Sequence, residues 1–150
     1  MFAYRIADAR HAIFDAAGAM LHGGRWNSIG QSVIYAAETY AGALLEVMVH
    51  ANLAQAPRNH CVVCIDIPDA VTIENVSPEA LKGWQDEDMI ASRAFGDRWI
   101  RESRSAVLRV PSVITGGRES NLVFNTQHPQ FTLISAGLPE PVQWDRRMFR

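Results

Sequence analysis

Arg25, Tyr35 and Glu46 place a cation, an aromatic face and a lone carboxylate in the most glycine-marked part of the chain. The segments read Gly23-Gly24-Arg25-Trp26-Asn27, then Val33-Ile34-Tyr35-Ala36, then Ala43-Leu44-Leu45-Glu46. A fixed guanidinium grips a pyrophosphate, a flat ring stacks a base, and one carboxylate stabilises a sugar that turns positive. The set suits a nucleotide such as NAD. Glu46 stands alone among Leu44, Leu45, Val47, Met48 and Val49. On a helix it leans over the small Gly42 and Ala43, which leaves a ligand room to approach. Plainer readings stand beside these: a solvated Glu, an Arg on a Gly-Gly turn, and a Tyr with its ring in the core and its hydroxyl outward.

A second cluster follows later: Val110-Pro111-Ser112, Asn121-Leu122-Val123-Phe124-Asn125, and His128-Pro129. Ser112 lacks the Gly-x-Ser-x-Gly elbow of a hydrolase nucleophile. Asn121 and Asn125, four apart on a strand, share a face. Their amides suit a carboxamide or ribose hydroxyls, although Asn at a strand end also serves turns. His11, His22, His50, His60 and His128 show no metal-like spacing. Cys61 and Cys64 form Cys-x-x-Cys inside an apolar run that reads as a buried strand. Positions three apart there point to opposite faces, which excludes a shared metal or a disulfide. The expectation is two buried structural thiols.

The elements that must position these residues are short. Strands are expected over 2–7, 32–36, 61–67, 106–110, 121–125, 131–135 and around 144–149. Asp8 to Gly24 reads as loop more than helix. A helix is expected over 40–51, started by Glu38 and Thr39, with Ala41, Leu44, Leu45, Met48 and Ala51 apolar at helical spacing. Pro78 to Gly83 predicts one or two helical turns capped by Ser77. Met89 to Arg104 predicts a surface helix with Ile90, Ala94, Phe95, Trp99 and Ile100 near one side, weakened by Gly96. Strands with irregularly inserted helices imply an α+β fold with a mixed or antiparallel core. No Gly-x-Gly-x-x-Gly follows a first strand, so a dinucleotide would not be held as in a Rossmann dehydrogenase.

With 150 residues, the chain is expected to fold as a single domain, 1–150, with its own core. Fourteen basic against 16 acidic residues give no field drawing it to nucleic acid or membrane. Thirteen of the basic residues are Arg, so nearly every cation is a forked donor. The start, Met1-Phe2-Ala3-Tyr4-Arg5, reads as no signal peptide, and no apolar run is long enough to span a bilayer. A cytoplasmic protein is expected.

Gly-Gly-Arg-Trp-Asn, Tyr-Ala-Ala, Ala-Leu-Leu-Glu, Val-Pro-Ser and Asn-x-x-x-Asn-x-x-His-Pro occur in that order. Together they closely resemble the RES domain, from Tyr4-Arg5-Ile6 to about Phe131. The resemblance implies the toxin of a bacterial type II toxin–antitoxin pair whose antitoxin is an Xre-like helix-turn-helix protein. It implies an ADP-ribosyltransferase-like fold and consumption of NAD+ by hydrolysis, phosphorolysis or transfer of ADP-ribose to a protein, with no metal. Carried over by position, Glu46 is the essential carboxylate, and Arg5 and Arg25 hold the phosphates and ribose. Tyr35 stacks on the nicotinamide side, while Ser112 and Asn125 orient the nicotinamide end. The antitoxin would occlude the cleft, and toxin dimers within the complex are a family expectation. No role attaches to Asn121, His128 or the Gly116-Gly117-Arg118 turn. A non-catalytic nucleotide- or partner-binding module is the alternative of another class.

Overall fold

The computed structural model describes residues 1–51 and 54–149. Its strands are β1 (Phe2–Asp8), β2 (Val33–Ala37), β3 (His60–Asp66), β4 (Ile73–Asn75), β5 (Val107–Pro111), β6 (Ser120–Asn125), β7 (Ser135–Ala136) and β8 (Glu140–Pro141). Its α-helices are α1 (Ala17–His22), α2 (Tyr40–His50) and α3 (Ile90–Arg101). The strands make one sheet in the order β4-β5-β6-β2-β1-β3-β7, with β8 also on β3. Every pairing is antiparallel except β4 with β5. The mixed α+β architecture is the one the strand and helix pattern implies.

Cross-strand partners share a face, so the register sorts the core into layers. On one face Ala3, Ile34, Ala36, Ile65, Val107, Leu122 and Phe124 are buried together under Phe14 and Phe131. On the other, Val33, Leu108, Val110 and Val123 pack against Trp26, Trp84 and Trp99, the last carried by α3. Beside them Ile6, Ala37 and Val142 receive Ala43, Leu44 and Val47 of α2.

β1 and β2 carry the feature that matters for function. They pair at Tyr4–Ala37 alone, whereas β1 follows β3 over seven residue pairs and β2 follows β6 over five. Beyond that rung the sheet parts. The Tyr35 carbonyl on this side is met at 2.8 Å by Nη1 of Arg5, whose Nε donates to the Ile13 carbonyl. A guanidinium therefore does there what a ladder bond would do elsewhere.

Several expectations are corrected. Residues 17–22 are helical rather than loop, begun by Asp15, whose side chain accepts from the Ala17 N–H. Residues 78–83 form successive turns, because Gly83 sits at φ +83° and Trp84 must turn inward to the core. Instead of a strand over 131–135, a 3-10 turn covers Pro129–Leu133, capped by His128 and carrying Phe131 onto Phe14. The closing segment likewise ends in a 3-10 turn, Arg146–Phe149, with Asp145 accepting from the Arg147 N–H. The short strands β4 and β8 carry too few residues for a period to register.

On α2 the core-facing stripe is Ala43, Leu44 and Val47, while Ala41 and Leu45 face solvent. On α3, Ile90 and Ala94 are exposed, and Gly96 is buried with Trp99. Cys61 and Cys64 are free thiols, but they are not both buried: Cys61 packs partly on the larger core and Cys64 is exposed. The face of β3 that bears Cys64 opens on a small recess beside Tyr4, Tyr40 and Leu138. Among the described residues, no helix is long and apolar enough to cross a membrane.

Candidate active site

A cleft of about 740 Å³ opens where β1 and β2 part. Its walls include Arg5 of β1, Arg25 of the glycine turn, Tyr35 of β2, Glu46 of α2 and Asn121 of β6. The sequence thus scatters these groups over more than a hundred positions, and the sheet gathers them.

The turn that carries Arg25 is built around Tyr35. The Tyr35 hydroxyl donates to Asn27 Oδ1 at 2.7 Å and accepts from the Trp26 N–H at 3.0 Å. Asn27 is fully buried, and its amide nitrogen donates to the Ala19 and Ser28 carbonyls. Gly24 has no alternative, since a Cβ there would lie 2.7 Å from the Tyr35 hydroxyl. Helix α3 clamps the same turn. Arg93 Nε donates to the Gly24 carbonyl at 2.8 Å, Asp97 accepts from Ser28, and Gly96 lets Trp26 lie against the helix. Tyr35 therefore turns its hydroxyl inward, and burial raises its pKa despite the Trp26 bond and the nearby Arg93 and Arg25 charges. It stays a neutral phenol, and its ring is what the cleft meets.

Arg25 is fixed from behind, with Nη1 donating to the carbonyls of Trp84 at 3.1 Å and Asp86 at 2.8 Å. The turns over 78–86 thus aim two carbonyls at the guanidinium, a use invisible in their sequence.

Glu46 sits on the cleft wall because Thr39 starts α2 about two turns earlier, its hydroxyl accepting the Gly42 N–H at 2.9 Å. The Glu46 carboxylate is held on both oxygens: Asn121 Nδ2 donates to Oε1 at 2.7 Å, and His50 Nε2 lies 3.2 Å from Oε2. Burial pushes the carboxyl up, but the bonds from His50 and Asn121 and the His50 and Arg25 charges outweigh it. Its pKa lies below the usual glutamate value. In return the bond to Glu46 raises His50, against the opposing effect of burial. The carboxylate stays ionised at neutral pH.

Arg5, half-buried in the split, is pressed to a lower pKa by burial, with Asp15 opposing. The remaining two expected residues stand apart. Ser112 is buried just after β5, and its neighbours Pro111 and Val113 reach the cleft wall. Asn125 is buried at the end of β6, where Oδ1 accepts the Gln127 N–H at 3.0 Å in a turn. Asn121 and Asn125 do not meet; Asn121 alone touches the carboxylate. Sequence reasoning missed His50, whose i,i+4 spacing from Glu46 was the available signal. It also missed Arg93, which had none. Among the described residues, no group of three or more His, Cys, Asp or Glu side chains is placed to hold a metal.

The chain is 41% identical over 155 aligned positions to the Prs ADP-ribosylating toxin of a Sphingobium species, covering 98% of this chain and 96% of that one. It is 32% identical over 132 positions to Toxin Res of Pseudomonas putida, covering 87% and 88%. The fold matches the crystal structure of the M. tuberculosis MbcT-MbcA toxin-antitoxin complex with a TM-score of 0.76 at 20% identity, over 93% of this chain and 82% of that one. The RES domain model matches residues 2–145, and the chain belongs to the RES domain family.

Proposed function

We propose that the protein is a bacterial toxin that cleaves the nicotinamide–ribose bond of NAD+. The observation carrying this reading is the ionised carboxylate of Glu46, fixed by Asn121 and His50 in a cleft that Arg5, Arg25 and Arg93 also line. Nicotinamide leaves as a neutral base and needs no acid to protonate it. One carboxylate therefore suffices, where ordinary glycosidases need two. Glu46 accepts a hydrogen bond from a ribose hydroxyl and stabilises the oxocarbenium-like transition state. Arg25 and Arg5 hold the diphosphate so that the sugar meets Glu46 in a reactive pose. The Tyr35 ring lies against the nicotinamide side. Ser112 acts at the nicotinamide end through the Pro111–Val113 segment, and Asn125 through the turn that ends β6.

In this reading no metal takes part, residues 1–150 work as one domain, and the toxin acts in the cytoplasm without binding nucleic acid. A cognate Xre-like antitoxin covers the cleft, with toxin dimers inside the complex. The likeness to one partner of a toxin–antitoxin complex supports the antitoxin. The 41% identity to a toxin named for ADP-ribosylating Prs favours a second reading, in which ADP-ribose passes to a protein rather than to water or phosphate.

The test is a time course of NAD+ with pure protein, with and without phosphate, beside Glu46→Gln. The variant should lose about a hundred- to a thousandfold in rate while keeping its fold. Full activity in Glu46→Gln removes the role of the carboxylate, and unchanged NAD+ with the wild type leaves a non-catalytic nucleotide-binding module. An ADP-ribose mass increment on added Prs selects the transferase.

A further inference from the structure

Helix α3 brings one more guanidinium to the cleft wall, that of Arg93. Resting on the NAD+ reading above, we propose that Arg93 is a second ligand for the diphosphate of the nucleotide, paired with Arg25 across the Gly23–Gly24 turn. Arg93 spends Nε on the Gly24 carbonyl at 2.8 Å, which fixes the plane of the fork and leaves both terminal nitrogens for a ligand. Arg25 is anchored in the same manner through Nη1 alone.

Charge supports the assignment. Arg10, Arg98, Arg104, Arg109 and Arg147 each lie in an ion pair with a carboxylate; of the other described arginines, Arg58, Arg101, Arg118 and Arg146 are exposed, and the half-buried Arg5, Arg25 and Arg93 all line the cleft. Asp97, the acid on the same helix, is occupied by Ser28, and Asp86 gives Arg25 only its backbone carbonyl. Two fixed, unpaired forks on one wall call for a ligand with two adjacent anionic groups. The glycines serve this geometry directly. Gly23 takes φ +72°, and a Cβ there would lie 3.3 Å from Arg93 Nη2, so the bare backbone admits the guanidinium.

The experiment compares Arg93→Gln, which keeps a donor for the Gly24 carbonyl, with wild type in NAD+ kinetics and in inhibition by ADP-ribose and by nicotinamide. KM for NAD+ should rise and ADP-ribose inhibition weaken by about ten- to a hundredfold, with kcat and nicotinamide inhibition nearly unchanged. Wild-type ADP-ribose inhibition in the variant, or an equal loss of nicotinamide inhibition, overturns the assignment. A footprint on wild-type protein keeps the question answerable if the variant does not fold. Saturating ADP-ribose should shield Arg93 from phenylglyoxal while nicotinamide does not, and an unshielded Arg93 overturns the role. A wild type that neither cleaves NAD+ nor binds ADP-ribose removes the parent reading; one that does both while Arg93 is indifferent removes only this one.

Discussion

The Glu46 carboxylate shows how little of a site's chemistry resides in the residue that names it. Its state is set by Asn121, which lies 75 positions away, and by His50 one helical turn on. The apolar neighbours of Glu46 marked it as unusual in sequence, but nothing local could reveal the amide facing it across the sheet. The pair has a definite pH signature. His50 is raised above its ordinary 6.5, so its contribution to stability is complete below that pH and fades as pH rises through the raised value. Glu46 is lowered below its ordinary 4.5, so its contribution holds above that pH and fades as pH falls through the lowered value. The pair therefore stabilises most between about pH 4.5 and 6.5. The effect is small, because the imidazole is largely in solvent. His50→Ala should lower the melting temperature slightly at pH 5.5 and leave it unchanged at pH 8.5; an equal loss at both pH values would argue against the ion pair.

At the scale of elements, α3 and the 23–28 turn form one unit. The sequence marks Gly96 as a weak point in a surface helix, yet the glycine is where the helix touches the backbone of Trp26. A Cβ there would stand 1.7 Å from the Trp26 carbonyl oxygen, an overlap that no rotamer relieves. Gly96→Ala should cost roughly 3 kcal/mol or more in urea unfolding, and should weaken activity by moving Arg25 and Arg93. Gly18→Ala is the control: it has open space around it in α1, so it should stabilise by up to about 1 kcal/mol. Equal effects of the two would show that helix propensity, not packing, governs both. The apolar runs of β1, β2, β3 and β6 and the helical spacing of α2 were legible because their side chains must be buried, on both faces in β2 and β6. The turns over 129–133 and 146–149 were not, because His128 and Asp145 cap them through single hydrogen bonds within otherwise strand-like composition.

For the whole molecule, the parting of β1 from β2 decides where a ligand can enter, and it follows from pairing that no local pattern encodes. Arg5 illustrates the gap between motif and role. The resemblance assigned it to the substrate, and the structure commits two of its nitrogens to the Ile13 and Tyr35 carbonyls. Arg5→Met would strand both carbonyls in a partly buried split, at about 1–3 kcal/mol each. The expected result is a large fall in the urea midpoint, whatever happens to KM. A midpoint equal to wild type would leave substrate binding as the residue's only task.

The strand order has a consequence for how the chain comes into being. β2, which carries Tyr35, lies between β1, made before it, and β6, whose last residue is Asn125. A chain still on the ribosome and stopped short of residue 121 has neither the neighbour that holds β2 nor the amide that fixes the acid. The cleft, with Glu46 held by Asn121, can assemble only once residue 121 has been made, so fragments that stop before it should lack this contact.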